Sequence, residues 1–280
     1  MSANLMFLLK TVIIAIVEGI TEFLPISSTG HMIIVGHFIN FTGEYATFFE
    51  VVIQLGAILA IVVLYWKKIS ESLRPNNLFV PGRPGFRLWL NMIIAFIPAA
   101  VIGLVFKKKI DKYLFNTLTV AVAMIVGGTL LIFIENSFRK NRHATRDLEN
   151  VSPIQALKIG IFQCLSLWPG MSRSASTIMG GWISGLSTPA AAEFSFFLAI
   201  PTMIAASGLD IIKDRPHMTS IELIALILGF VVSFLVALLV VEKFINFLKK
   251  RPMRVFAIYR ILVGVILLVL AALKIITITK

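Results

Sequence analysis

Residues 18–31 read EGITEFLPISSTGH and gather carboxylates, hydroxyls and an imidazole into one short stretch. Glu18 and Glu22 are four residues apart, so on a helix they share one face. Two like charges in apolar surroundings need a cation, a basic side chain or a shared proton to relieve them. The pair therefore reads as ligands for a divalent cation or as general acid/base groups. After Pro25, the run Ser27-Ser28-Thr29-Gly30 supplies hydroxyls and free backbone N–H groups where a second short helix should begin. Such residues serve as N-caps. The same position also binds anions, because unpaired N–H groups and the helix dipole both point at it. His31 follows within one turn, beside hydroxyls and acids, whereas His37 reads as a hydrogen-bonded core residue.

A second polar cluster, PGMSRSAST at 169–177, carries Arg173 among Ser172, Ser174, Ser176 and Thr177. Arginine does not shed its proton, and deep in an apolar chain it requires an anion nearby. Its planar fork matches phosphate oxygens two at a time, and the serines add donors at another helix start. An ion pair from Arg173 to Glu18 or Glu22 is the purely structural alternative, and it also suits a resting state. Arg260, about one turn inside the last apolar segment, reads as a snorkelling residue with no chemistry.

The elements that must position these groups are membrane helices. The 280-residue chain is 58% hydrophobic, has mean hydropathy +0.92 and is only 14% charged, against roughly 25% charged in a soluble domain. The first apolar stretch carries Glu18 and Glu22 without a small-residue cleavage site, so it is read as part of the mature fold. Cys164 is the single cysteine, which excludes an internal disulfide and a thiolate-only metal site. The net charge of +12 lies mostly between apolar segments, where it meets lipid headgroups rather than nucleic acid.

Six apolar runs approach the roughly 20 residues that cross a bilayer, near 48–66, 88–106, 116–134, 190–210, 220–241 and 255–276. Regions 5–40 and 154–186 are apolar too, but each is cut by proline, glycine and hydroxyl residues into halves expected to be too short to span. Non-helical backbone at membrane depth survives only where protein or a watery cavity satisfies it, so both are expected to be re-entrant helix pairs. Slid by 145 positions, Glu18 faces Gln163 and Ser27 faces Ser172, while Glu50 opposes Glu193 with a shift of two. The expected fold is an all-α integral membrane protein in one membrane domain. Repeat 1 covers 1–140 and repeat 2 covers 150–280, each with a re-entrant pair and three spans. An odd number of crossings inverts the second copy relative to the first.

Orientation follows the Lys and Arg count on each side. One side receives fourteen: Lys67, Lys68, Arg74, Arg83, Arg87, Arg139, Lys140, Arg142, Arg146, Lys243, Lys249, Lys250, Arg251 and Arg254. The other receives nine: Lys10, Lys107, Lys108, Lys109, Lys112, Lys213, Arg215, Lys274 and Lys280. The first side is therefore expected to be cytoplasmic, with both termini and the entry of the first loop outside. Inversion brings the two loop tips together, and the combined site suits a phosphate or diphosphate whose remaining body is lipid.

At these residues the sequence resembles the bacterial undecaprenyl-diphosphate phosphatase family, the bacitracin-resistance phosphatases. EGITEFLPISSTGH and PGMSRSAST are similar to that family's two signature motifs. FEVVIQLGAILA at 49–60 and AAEFSFFLAIP at 191–201 resemble its flanking spans. The resemblance implies hydrolysis of undecaprenyl diphosphate to the monophosphate and inorganic phosphate, with a divalent cation such as Mg²⁺ or Ca²⁺, at a site open to the outer face of the bacterial cytoplasmic membrane. It points to Glu18, Glu22, Ser28, His31 and Arg173 as the reactive set. Ser27, Thr29, Ser172, Ser174 and Thr177 join Arg173 in contacting phosphate, and Glu18 and Glu22 hold the metal. Ser28 is the expected nucleophile, a direct attack by His31 its rival. The expected partners are the lipid substrate and membrane lipid, with no nucleic acid; a homo-oligomer is compatible with the sequence, which leaves the oligomeric state open.

A polyprenyl-phosphate transporter on the same inverted repeat is the alternative from another class; the carboxylate, hydroxyl and imidazole grouping favours chemistry over passive binding. The acid-phosphatase-like lipid phosphatases are set aside, because SRSASTIMGGW lacks the histidine and aspartate they need after their serine-arginine pair. No Walker A loop, HExxH or dinucleotide fingerprint is present. Gly127-Gly128 and Gly180-Gly181 read as close-packing positions between helices.

Overall fold

A computed structural model describes residues 3–139, 143–213 and 217–276. Lys140, Arg142, Arg215 and Lys280 of the orientation count lie outside the described residues, as do residues 1, 2 and 277–280 at the ends of the two expected repeats. The chain runs through twelve α-helices in the described residues: α1 (Ala3–Thr21), α2 (Ser28–Phe38), α3 (Glu44–Leu64), α4 (Trp66–Ser72), α5 (Pro75–Leu78), α6 (Pro84–Leu114), α7 (Thr117–Phe138), α8 (Pro153–Gln163), α9 (Arg173–Ile183), α10 (Thr188–Lys213), α11 (Ser220–Leu248) and α12 (Arg254–Ala272). Short 3₁₀ turns occupy Leu148–Asn150 and Cys164–Leu167. The single β-bridge among the described residues joins Thr145 to Leu186.

Among the described residues seven helices are long and apolar enough to cross a membrane: α1, α3, α6, α7, α10, α11 and α12. The last six fall on the six expected spans, with ends that differ from those expected. The seventh, α1, differs from expectation: at 19 residues it is long enough by itself, whereas α2, α8 and α9 have 11 residues each. The polar motifs are what break these two regions. Pro25 removes a helix donor, and Gly170 at φ 102 turns the chain through a conformation that side chains disfavour.

Each broken region is a helical hairpin. In the first, Lys10 Nζ of α1 donates to Asn40 O beyond α2 at 3.3 Å, and the Phe7 and Phe41 rings approach to 6.1 Å. In the second, Gln155 Nε2 of α8 donates to Ser184 O at the end of α9 at 2.9 Å. Along α1 the outward residues Leu5, Leu9, Ile13, Ile16 and Ile20 form an exposed apolar stripe. The inward face carries Thr11, Ile14, Ala15 and Glu18, all buried. This is the reverse of a water-soluble amphipathic helix and the expected state of one bathed in lipid.

The hairpins sit against matched partners. α1 packs on α11 and α8 on α6; α3 packs on α11 and α10 on α6; α3 meets α10, and α7 meets α12 along its length. Close approach depends on small residues, as foreseen for Gly128, which faces Ala257 O of α12, and Gly181, which faces Ala191 of α10. Gly19 against α11 and Gly160 against α6 play the same part for the two hairpins. Buried hydroxyls close the interfaces: Ser233 Oγ donates to Ile53 O at 2.8 Å. At one end of the bundle Lys68 pairs with Glu193 at 2.9 Å, and Arg139 and Arg254 reach Arg251 O and Asn136. Near the other end Lys107 pairs with Asp210 at 2.5 Å.

Candidate active site

The two hairpin turns meet in the interior. Ser27 and Ser172 are the N-caps of α2 and α9, with nearly equal φ of 70° and 69° and side chains that accept from Gly30 N and Ala175 N. Their positive φ is uncommon for a residue with a side chain. The two sites are 145 residues apart, so Ser28 and Arg173 occupy the same first-turn position of equivalent helices. Two cross-links join the turns: Ser174 Oγ donates to Phe23 O at 2.7 Å, and the Arg173 guanidinium lies over the Phe23 ring at 5.6 Å.

From this frame three side chains form a line of direct contacts. Ser28 Oγ donates to Glu22 Oε2 at 2.8 Å. Glu22 Oε1 accepts from Arg173 Nη2 at 3.2 Å. Arg173 Nη1 donates to Ser195 O at 2.8 Å, with Ser195 Oγ at 3.3 Å. Arg173 Nε is buried and has no partner among the described residues. The Nε–Nη2 edge of the guanidinium therefore presents one free donor and one held by Glu22, with Met203 Sδ also within 3.9 Å of Nη2. Ser28, Thr29 and Ser172 are half-buried around this line, and Glu22 is 8% exposed.

Glu18 lies one turn before Glu22 and is fully buried, and among the described residues neither carboxylate oxygen meets a hydrogen-bond donor. Glu22, Glu50 and Arg173 are close enough for their charges to act on it. Its counterpart Gln163 is equally buried and neutral, accepting from Thr202 Oγ1 at 3.4 Å. Glu193, compared with Glu50 by sequence, instead pairs with Lys68 at the bundle end. The orphaned oxygens of Glu18 beside those of Glu22 are hard donors suited to Mg²⁺ or Ca²⁺. Among the described residues no group of three His, Cys, Asp or Glu side chains is placed to hold a metal. A cation here would thus rest on the glutamates, with phosphate oxygens and water completing its shell, as is usual for Mg²⁺.

His31 is held rather than free. Its Nδ1 lies 2.8 Å from Ser27 O, and because a carbonyl only accepts, Nδ1 carries the proton. Nε2 then accepts from Tyr259 O–H at 2.9 Å, with the two rings stacked at 5.5 Å. His31 is on the first turns of α2 beside Ser28, but the Ser28 proton is directed at Glu22. His37 is half-buried against the Phe38 ring.

Two of the expected phosphate contacts face elsewhere. Ser174 is fully buried and directs its proton to Phe23 O. Thr177, 1% exposed, directs its own to Arg173 O at 2.9 Å and lies 2.7 Å from Ser195 Oγ. Both brace the turn from behind. Arg260 also departs from expectation: it does not snorkel but is 0% exposed, with Nη2 donating to Gly170 O and Met171 O at 2.7 and 2.9 Å. The reason is local, since Gly127 leaves room for the guanidinium and the non-helical turn offers carbonyls. Ser195 and Tyr259 were not singled out from the sequence; a hydroxyl in a span is too common a sight, though a charged Arg260 in an apolar helix was a signal.

Apolar helices, buried carboxylates and a paired arginine at the meeting of two broken hairpins define a multi-pass membrane protein with a polar centre. The chain matches the family described as bacitracin resistance protein BacA over residues 11–266, and it belongs to that family. It is 58% identical to the undecaprenyl-diphosphatase of Clostridium tetani over 274 residues, covering 98% of this chain and 100% of the relative. Undecaprenyl-diphosphatase 2 of Clostridioides difficile is also 58% identical, over 99% of this chain and 100% of its own length. The undecaprenyl-diphosphatase of Thermoanaerobacter pseudethanolicus is 56% identical, over 96% of this chain and 98% of its own.

Proposed function

We propose that the protein is a membrane phosphatase that hydrolyses undecaprenyl diphosphate to undecaprenyl phosphate and inorganic phosphate, recycling the lipid carrier of cell-wall synthesis and conferring bacitracin resistance. The observation that carries this reading is the unbroken contact line Ser28–Glu22–Arg173, set in the motifs shared with the relatives named above. Ser28 Oγ attacks the terminal phosphorus as its proton passes to Glu22 Oε2. The bond to the bridging oxygen breaks, and undecaprenyl phosphate leaves. Once Glu22 has passed the first proton to the departing undecaprenyl phosphate, its carboxylate takes a proton from water as that water attacks the phosphoserine; the P–Oγ bond breaks, inorganic phosphate leaves, and Glu22 returns the proton to Ser28 Oγ. As Glu22 is neutralised, its hold on Arg173 weakens. The Nε–Nη2 edge is then free to take the phosphoryl oxygens where negative charge spreads. A divalent cation on Glu18 and Glu22, when bound, supplies further charge neutralisation at those oxygens. Thr29 and Ser172 stand at the two helix starts that receive the phosphate.

In the membrane, both hairpins are re-entrant and the chain is an inverted repeat of six spans and two hairpins. The matched packing pairs and the twin caps Ser27 and Ser172 support this. So does length: inward of Lys10, which is level with the end of α2, α1 has 11 residues, or about 16 Å at roughly 1.5 Å each, well short of a roughly 30 Å core. The charge count supports a site that opens toward the outer face of the bacterial cytoplasmic membrane. Transport of the same lipid is the competing activity, and the Ser28–Glu22 contact favours chemistry because carriage alone needs no activated hydroxyl.

The test is phosphate release from polyprenyl diphosphate by the purified protein and by Ser28→Ala, with and without chelator, alongside lipid movement in liposomes. Release that Ser28→Ala abolishes is expected. Lipid crossing without phosphate release, or an active Ser28→Ala, overturns the reading.

A further inference from the structure

The mechanism so far draws on α1, α2, α9 and α10, yet α12 also reaches the centre through two consecutive residues. Tyr259 grips the first hairpin, donating its hydroxyl to His31 Nε2 at 2.9 Å with its ring stacked on the imidazole. Since Nδ1–H is directed at Ser27 O, the Tyr259 hydroxyl completes the hydrogen bonding of the ring and fixes its orientation. Arg260 grips the second hairpin through the carbonyls of Gly170 and Met171. Those two residues immediately precede Ser172 and Arg173. His31 follows Ser28 by three residues, and Met171 precedes Arg173 by two.

Arg260 is expensive to keep. It is fully buried, its Nε and Nη1 lack partners, and no carboxylate pairs with it among the described residues. A buried guanidinium facing only carbonyls is a poor device for stability, where a well-packed apolar residue does as well or better. The α7 backbone is shaped around it: a Cβ at Gly127 would lie 3.0 Å from the guanidinium Cζ and 3.1 Å from Nη1.

We propose that Tyr259 and Arg260 are positioning residues of the catalytic centre, α12 holding one hairpin turn with each and so setting Ser28 against Arg173. This rests on the phosphatase reading above. Neither residue is assigned a contact with substrate.

The experiment measures kcat and KM for phosphate release from polyprenyl diphosphate, per folded molecule, with thermal stability followed in parallel. Tyr259→Phe keeps the ring and removes the hydroxyl; Tyr259 is 43% exposed, so the variant should fold. Its kcat should fall about tenfold, the worth of one hydrogen bond, with KM within about twofold. Arg260→Met should lower kcat by about a hundredfold for two lost charge-assisted bonds. Arg260→Lys should recover part of that loss, since an ammonium can still meet a carbonyl, and it serves where the Met variant gives little folded protein. Gly127→Ala, which displaces the guanidinium without altering it, should lower kcat in the same sense.

Wild-type kcat in folded Tyr259→Phe and Arg260→Lys would overturn the inference while leaving the phosphatase reading intact. So would losses confined to KM, which indicate substrate contact. A wild-type protein that releases no phosphate overturns the phosphatase reading itself, and with it the role given to α12.

Discussion

Replacing Arg173 by lysine keeps the charge and removes the planar fork, which makes it the sharpest probe of the site. At rest Arg173 divides its donors: Nη1 to Ser195 O at 2.8 Å, Nη2 to Glu22 Oε1 at 3.2 Å, with Nε free. A lysine nitrogen must choose, because one ammonium cannot hold the Ser195 carbonyl and also present two parallel donors to a phosphoryl group. The transition state thus loses at least one preorganised, charge-assisted donor. Loss of one such donor costs about 10²–10³ in kcat, or roughly 3–4 kcal/mol. The charge remains to attract the diphosphate, so KM should change far less than kcat. Steady-state phosphate release from polyprenyl diphosphate in detergent, at matched folded protein, is the assay. Turnover of Arg173→Lys within about tenfold of wild type would show that position and charge suffice, and the two-donor clamp would be wrong.

Ser174→Ala should destabilise the fold by about 1–3 kcal/mol, because it leaves the Phe23 carbonyl unpaired where the two hairpins join; an unchanged melting temperature counts against that tether. Chelation should suppress phosphate release and added Mg²⁺ or Ca²⁺ restore it. Glu18→Gln should raise the cation concentration needed for half-maximal rate, and an unshifted requirement removes Glu18 from the cation site. Cysteines placed singly at Lys68 and Lys250 in a Cys164→Ser background should react with impermeant reagent only from the cytoplasmic face, and one at Lys108 only from the outer face; labelling of Lys250→Cys from outside reverses the orientation.

Much of the architecture was legible because a bilayer makes the code coarse. An apolar run of sufficient length has little choice but to be a helix, so α3, α6, α7, α10, α11 and α12 fall where the hydropathy placed them. The break points were legible for the converse reason: Pro25 and Pro169-Gly170 stand among hydroxyls where a continuous helix would place side chains in lipid. The length of α1 was not, since its end at Thr21 depends on where the turn finds partners in the other hairpin, and residues 22–26 could have extended or shortened the helix equally well.

The reactive residue types, their grouping into two motifs and the relation between the motifs at a 145-residue offset were determined by the sequence alone, because polar groups in apolar segments are costly and therefore conspicuous. Which donor meets which acceptor was decided only by the tertiary structure. Ser28 directs its proton to Glu22 and not to His31, Ser174 and Thr177 face backward into the turn, and Arg260 points inward to two carbonyls. Except at Thr177, whose acceptor Arg173 O lies one turn back on the same helix, each choice depends on where another segment presents an acceptor or, as at Gly127, leaves a space. Such relations join segments far apart in the chain, 151 residues for Phe23 and Ser174 and 228 for His31 and Tyr259, and spacing along one helix carries no record of them.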